Sequence, residues 1–252
     1  MTTDTRLLDT YLKQLRLPTF VQNHLKLAED AARANLGYDR FLLKLAELEI
    51  AQRELNQQTR RTKAARFPVL KDLADFDFSA LPSLNKAQVL DLARGAYIPK
   101  AEPVLLVGHP GLGKTHIATG LALAACRQGH KVRFYNAAGL VNEMIELQER
   151  HQLSRFLNQA LKLHLIVLDE LGFIPLSTVG AQLMFQFCST LYEKVALMVT
   201  TNLQFGDWNQ IFQNERLTAA LLDRLTDRAT ILEFTGESYR LRKSLKRKAA
   251  GK

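Results

Sequence analysis

Only two cysteines, Cys126 and Cys188, occur in the chain. Both sit in apolar helical patterns and share no metal-ligand spacing, so two buried thiols are expected. The six histidines are scattered. None has a His-x-x-x-His or Cys partner at ligand spacing, so no metal role is suggested for them. Long apolar runs are missing too. No stretch approaches the ~18 residues of a membrane span, and Met1–Asp9 has no run of signal type. A cytoplasmic protein with no membrane partner is the expectation. No repeat or low-complexity tract is visible. Acids are in short supply: 25 Asp and Glu stand against 34 Lys and Arg, for a net charge of +9. That balance points to a polyanionic partner, nucleic acid before membrane.

What the chain does have is Gly108-His109-Pro110-Gly111-Leu112-Gly113-Lys114-Thr115. This fits the P-loop template G-x-x-x-x-G-K-[ST] at every fixed position. Val104–Val107 before it is an apolar run of strand length, and Thr115 onward reads as a helix. Glycines let the backbone curl so that several N–H groups face one phosphate chain. The following helix N-terminus adds its positive dipole end. Lys114 is placed to reach the β- and γ-phosphates of ATP, and the Thr115 hydroxyl to hold Mg²⁺.

Residues 1–66 read as an all-helical N-terminal domain, for oligomerisation or DNA contact, and 67–252 as a second domain with a basic tail. In the first, Leu8, Tyr11, Leu12 and Leu15 recur at helical spacing until Pro18. A second helix covers about 19–35, and Asp39 can cap a third. On that helix Phe41, Leu45, Leu48, Gln52 and Leu55 lie at steps of four and three. It turns basic late, where Arg53, Arg60, Arg61, Lys63 and Arg66 face only Glu54, as a phosphate-facing surface would. After Phe67-Pro68 comes a connector, with an extended Phe76–Phe78 patch and a helix over 85–96. It suits either covering a nucleotide base or plain packing. From Val104 strands (104–107, 132–135, 165–168, 195–200, 230–234) alternate with helices (115–128, 137–149, 155–162, 178–193, 215–227). Such alternation means an α/β fold with a five-stranded parallel sheet covered on both faces. Phosphate then binds beyond the carboxyl ends of the strands. Seven unopposed cations from Arg240 to Lys252 suit nonspecific contact with nucleic acid.

The second acidic site of a P-loop protein has a candidate. Leu165–Leu168 runs straight into Asp169-Glu170, so Asp169 emerges at the phosphate edge as a Mg²⁺ ligand beside Thr115. Glu170 is placed to orient and deprotonate an attacking water. The next strand ends in Thr200-Thr201-Asn202, and the Asn202 amide can hydrogen-bond both γ-phosphate and water.

These three features together resemble an AAA+ ATPase, with Asn202 as sensor I. Gly108–His116, Leu168–Leu176, Thr201–Trp208, Leu222–Leu225 and Gly236–Arg240 are similar, more closely, to IstB, the ATPase helper family of insertion-sequence transposases. IstB in turn resembles the DnaC helicase loaders. The resemblance covers essentially the whole chain. It implies Arg224 as an arginine finger offered to a neighbouring subunit, with Arg216 and Arg228 left open, and Arg240 as a sensor II arginine. His109 and His116 flank the loop by family pattern. Only 18 residues follow Phe234, too few for the helical lid many AAA+ proteins carry, and DnaC-like proteins share this. The segment 139–162, with Arg150, His151, Arg155 and Lys162, resembles an insertion that initiator-type AAA+ proteins point at nucleic acid. The implied function is an ATP-driven homo-oligomer that binds and remodels duplex DNA and recruits a transposase. The alternative is a DnaC-type loader with single-stranded DNA and a helicase as partners.

Overall fold

A computed structural model of the chain describes residues 3–239. Packing divides the chain into two compact units between Arg60 and Arg61. The division falls inside a helix, ahead of the Phe67-Pro68 junction.

The first unit is helical: α1 (Thr3–Gln14), α2 (Pro18–Arg33) and most of α3 (Tyr38–Ala65). Pro18 opens α2, at the helix position where a missing N–H costs least. The next N–H, of Thr19, donates to Glu49 Oε2 at 2.9 Å. Glu49 is 4% exposed and also accepts from Arg53 at 2.7 Å. Arg53 is therefore not one of the unopposed cations expected at the end of α3. Its acid lies one turn earlier, outside the basic stretch. Leu45 is buried, but Leu48 and Leu55 are exposed, so the stripe at steps of four and three is only partly covered.

The second unit is built on five parallel strands: β1 (Val104–Gly108), β2 (Val132–Asn136), β3 (Leu165–Leu171), β4 (Ala196–Thr201) and β5 (Thr230–Phe234). Their order across the sheet is β2-β3-β4-β1-β5. Val104, Leu106, Leu165, Val167, Ala196 and Met198 pack with α4 (Lys86–Leu92) and α5 (Lys114–Arg127) in one core. The alternate residues Leu105, Val107, Ile166, Leu168, Leu197 and Val199 pack in a second core. That core includes α6 (Ala137–Glu149), α7 (Leu153–Ala160), α8 (Thr178–Leu191), α9 (Asn209–Phe212) and α10 (Glu215–Thr226). Both faces of the central strands are thus dry, which is why they read as unbroken apolar runs. Cys126 and Cys188 are buried in these cores, and burial pushes their thiols up to about 11 and about 12. No helix among the described residues is long and apolar enough to cross a membrane.

The connector keeps part of its expected form. Phe76 and Asp77 are extended, but they link two 3-10 turns, Leu73–Asp75 and Phe78–Ala80, each capped by the aspartate before it. The expected helix over 85–96 is shorter, stopping at Leu92 ahead of Gly95 with φ +77°. The connector lies along α5. Asp72 pairs with Arg127 in the last turn of α5, and its carbonyl accepts from His116 Nε2 in the first turn at 2.8 Å. A Cβ at Gly120 would lie 2.7 Å from Leu73, so a bare Cα is what allows this approach.

Candidate active site

The loop between β1 and α5 curls through three glycines with positive φ: Gly108 at +150°, Gly111 at +83° and Gly113 at +95°. Side chains at these angles are strained. Each glycine is also crowded. A Cβ would overlap the Phe234 carbonyl at Gly108 and Ser238 at Gly111, and would lie 2.7 Å from Phe76 at Gly113. Lys114 is 9% exposed and its ammonium donates to the carbonyls of Gly108 and His109. The same loop that would hold a phosphate chain thus holds its lysine. His109 and Pro110 are exposed, while Leu112 is buried.

At the carboxyl ends of β3 and β4 and the start of α5, Asp169, Glu170, Thr200 and Thr115 form one hydrogen-bonded group. Thr115 Oγ1 donates to Asp169 Oδ1 at 3.0 Å, and Thr200 Oγ1 donates to the same oxygen at 2.6 Å. The Glu170 N–H donates to Thr200 Oγ1 at 2.9 Å. Asp169 is 5% exposed; burial pushes its carboxyl above the usual range, and the two hydroxyls only partly offset this. Glu170 has φ +61°, at an irregularity in the β3–β4 pairing between Leu168 and Leu171. A non-glycine residue held at positive φ costs of order 1–3 kcal/mol, and such strain clusters at functional sites. Here the turn leaves Asp169 buried and Glu170 exposed at the strand tip. Glu170 Oε2 accepts from Asn136 Nδ2 at 2.9 Å, while Asn136 Oδ1 caps α6 by accepting from Gly139 N–H at 3.2 Å.

Asn136 and Thr200 escaped the sequence reading. Their only signal was a polar side chain at the end of a buried strand, the same signal that singled out Asn202. The Thr200 hydroxyl makes a testable contribution. Thr200→Val removes a donor to a buried carboxylate and strands the Glu170 N–H. A loss of about 1–3 kcal/mol of unfolding free energy is expected, measured from urea midpoints; an unchanged midpoint contradicts this account.

A cavity of about 520 Å³ opens over this group, lined by Pro110–His116, Glu170, Thr200, Thr201 and Asn202. The connector adds apolar Phe76, Ala80 and Leu81 and charged Lys71, Asp75 and Asp77 to its wall, and Glu237 and Tyr239 join from beyond β5. Tyr239 N–H donates to the Gly111 carbonyl at 3.1 Å, so the segment after β5 returns to the phosphate loop. Phe76, Ala80 and Leu81 suit a base, and the loop suits phosphates. Arg224 is elsewhere. It lies on α10, with its guanidinium 5.2 Å from the Phe185 ring centroid and a hydrogen bond to the Ala220 carbonyl. It does not line the cavity, and among the described residues no ion pair ties it to Asp223. Arg216 and Arg228 are exposed. In the 139–162 segment Arg150 pairs with Glu146 at 3.7 Å. Arg240 and the basic tail lie outside the described residues.

Residues 10–247 match the family model of IstB-like ATP binding proteins. The chain belongs to this family. It is 35% identical over 242 residues to the ATP-binding protein of insertion sequence IS21 from Pseudomonas aeruginosa, covering 96% of this chain and 91% of that one. It is 33% identical over 232 residues to its counterpart in IS5376 from Geobacillus stearothermophilus, covering 92% of each. Among solved structures it is similar to AMPPCP-bound DnaA from Aquifex aeolicus, with a TM-score of 0.54 at 18% identity, over 72% of this chain and 56% of that one. That likeness concerns the fold, an AAA+ P-loop sheet with its helices. For this IstB-like chain, ATP binding and a helper role in an insertion sequence follow from family membership.

Proposed function

We propose that the protein hydrolyses ATP between two copies of itself, and that the assembled form holds duplex DNA for a transposase. The observation that carries this reading is the group Thr115–Asp169–Thr200–Glu170 at the tips of neighbouring strands, under a loop that already binds its own lysine. Phosphates displace the two loop carbonyls from Lys114, so the ammonium turns to the β- and γ-oxygens. Asp169 and Thr115 offer hard oxygen donors in contact with each other, a set that fits Mg²⁺, which when bound screens the charge of the triphosphate. Glu170 takes the proton of the attacking water. Asn202 donates its amide to the γ-phosphate and fixes the water. Asn136 donates to the Glu170 carboxylate and so orients it.

Arg224 stands outside its own copy's cavity, stacked on Phe185, which supports its use on the nucleotide of a neighbour. ATP binds the assembled form better than the separated one and so drives assembly. Repeated basic surfaces then face the duplex, with Arg60, Lys63 and the tail from Arg240 as candidates. Contacts of this kind weaken steeply with salt. The relatives' place in insertion sequences supports DNA remodelling and transposase recruitment, with hydrolysis releasing the complex. Lys114→Ala tests the site itself. The variant is expected to lose ATP binding altogether in a fluorescent-nucleotide titration; retained affinity contradicts the loop assignment.

A further inference from the structure

Lys71, in the connector ahead of β1, brings one more cation to the cleft. The residue after it, Asp72, is tied to both ends of α5 through His116 and Arg127, so the backbone at Lys71 is held in place. The side chain is half-buried and lines the 520 Å³ cavity. It also lines a second cavity of about 360 Å³, bordered by Arg66, Thr119, Asn136 and Asp169. Among the described residues, only Thr115 and Glu170 share with Lys71 a place on both walls. These are the residues assigned above to the metal and to the attacking water. Lys71 therefore borders the hydrolytic end of the cleft. Among the described residues it makes no hydrogen bond or ion pair. Its ammonium still reaches the solvent of the cleft, so an anion arriving there can take a place beside it, where the attraction is stronger than in open water.

We infer that Lys71 is a second phosphate-binding cation, supplied by the same copy, which reads the γ-phosphate and so separates ATP from ADP. The inference rests on the cleft being the ATP site. Its chemistry suits the task, because a compact ammonium on a flexible stem follows a phosphate oxygen without requiring a fixed fork geometry. Lys114 emerges from inside the loop, beneath the phosphate chain. Lys71 approaches from the connector. The γ-phosphate would then be held from two sides, and loss of Lys71 should be felt by the triphosphate alone.

The test uses the full chain carrying Glu170→Gln, so that binding is read without turnover. Dissociation constants for fluorescent ATP and ADP analogues are measured by titration for this parent and after adding Lys71→Met or Lys71→Arg. Lys71→Met is expected to weaken ATP about tenfold, as loss of one charge-assisted contact does, while ADP stays within about twofold. Lys71→Arg keeps the charge and is expected to retain most of the ATP preference. Unchanged ATP affinity in the Lys71→Met chain overturns the inference, and so does an equal loss for ATP and ADP, which marks a structural role. If the Glu170→Gln parent binds neither nucleotide, the reading of the cleft falls, and the inference with it. Thermal melting of each variant confirms that the comparison is made on folded protein.

Discussion

A Glu170→Gln chain is expected to bind ATP normally and to hydrolyse it about 10²–10⁴-fold more slowly, the range for loss of a general base. The amide keeps the shape of the carboxylate but cannot take a proton. Its backbone should not suffer, because the contact that fixes the strand tip is made by the Glu170 N–H to Thr200, not by the carboxylate. The side-chain bond to Asn136 is the one that changes. Asn136 Nδ2 donates to Glu170 Oε2, and a glutamine oxygen can still accept it. With hydrolysis blocked and binding intact, the ATP-favoured assembly should persist. Phosphate release measured beside ATP affinity separates the two steps. Unchanged turnover would remove Glu170 as the base.

Arg224→Ala is expected to be as damaging, by about 10³–10⁵ in turnover, the range for loss of an arginine finger. ATP affinity of the isolated chain should hardly move, since Arg224 lies outside its own cavity. Stability should fall by what the contact over Phe185 contributes, about 0.5–1 kcal/mol, and by about 1 kcal/mol for the hydrogen bond to the Ala220 carbonyl. The sharper expectation concerns mixtures. In the proposed mechanism a site takes Glu170 from one copy and Arg224 from the next. Arg224→Ala chains mixed with Glu170→Gln chains therefore form some interfaces with both groups sound, and activity should partly return. No recovery, with both variants folded and assembling, would argue against an arginine acting across copies and would turn attention to Arg216 and Arg228.

The sheet was legible because its strands are buried on both faces. Val104–Val107 and Leu165–Leu168 can be nothing but interior, and Asp169 follows such a run by one residue. The glycines of the phosphate loop were legible for a different reason: only glycine takes those φ values there. What the sequence hid was set by contacts between distant segments. The left-handed backbone of Glu170 is invisible in Asp-Glu-Leu-Gly, since nothing local demands it. Thr200 looked like a neighbour of Asn202, yet its hydroxyl holds Asp169 and Glu170 together across two strands. Arg53 looked unopposed because its partner, Glu49, lies outside the basic stretch. The short turns on either side of the extended Phe76-Asp77 pair were hidden because Asp72 and Asp77 each cap one, an effect of two residues' range that apolar periodicity does not register. Lys71 was one lysine among many until the fold set it at the edge of the cleft.

The central claim is that a triphosphate is gripped by one copy and completed by the next. Sedimentation velocity of the purified chain with a slowly hydrolysed ATP analogue and duplex DNA tests it most directly. The account predicts a multimer on the duplex that dissolves when ADP replaces the analogue. A single monomer boundary with nucleotide and duplex both present would contradict it.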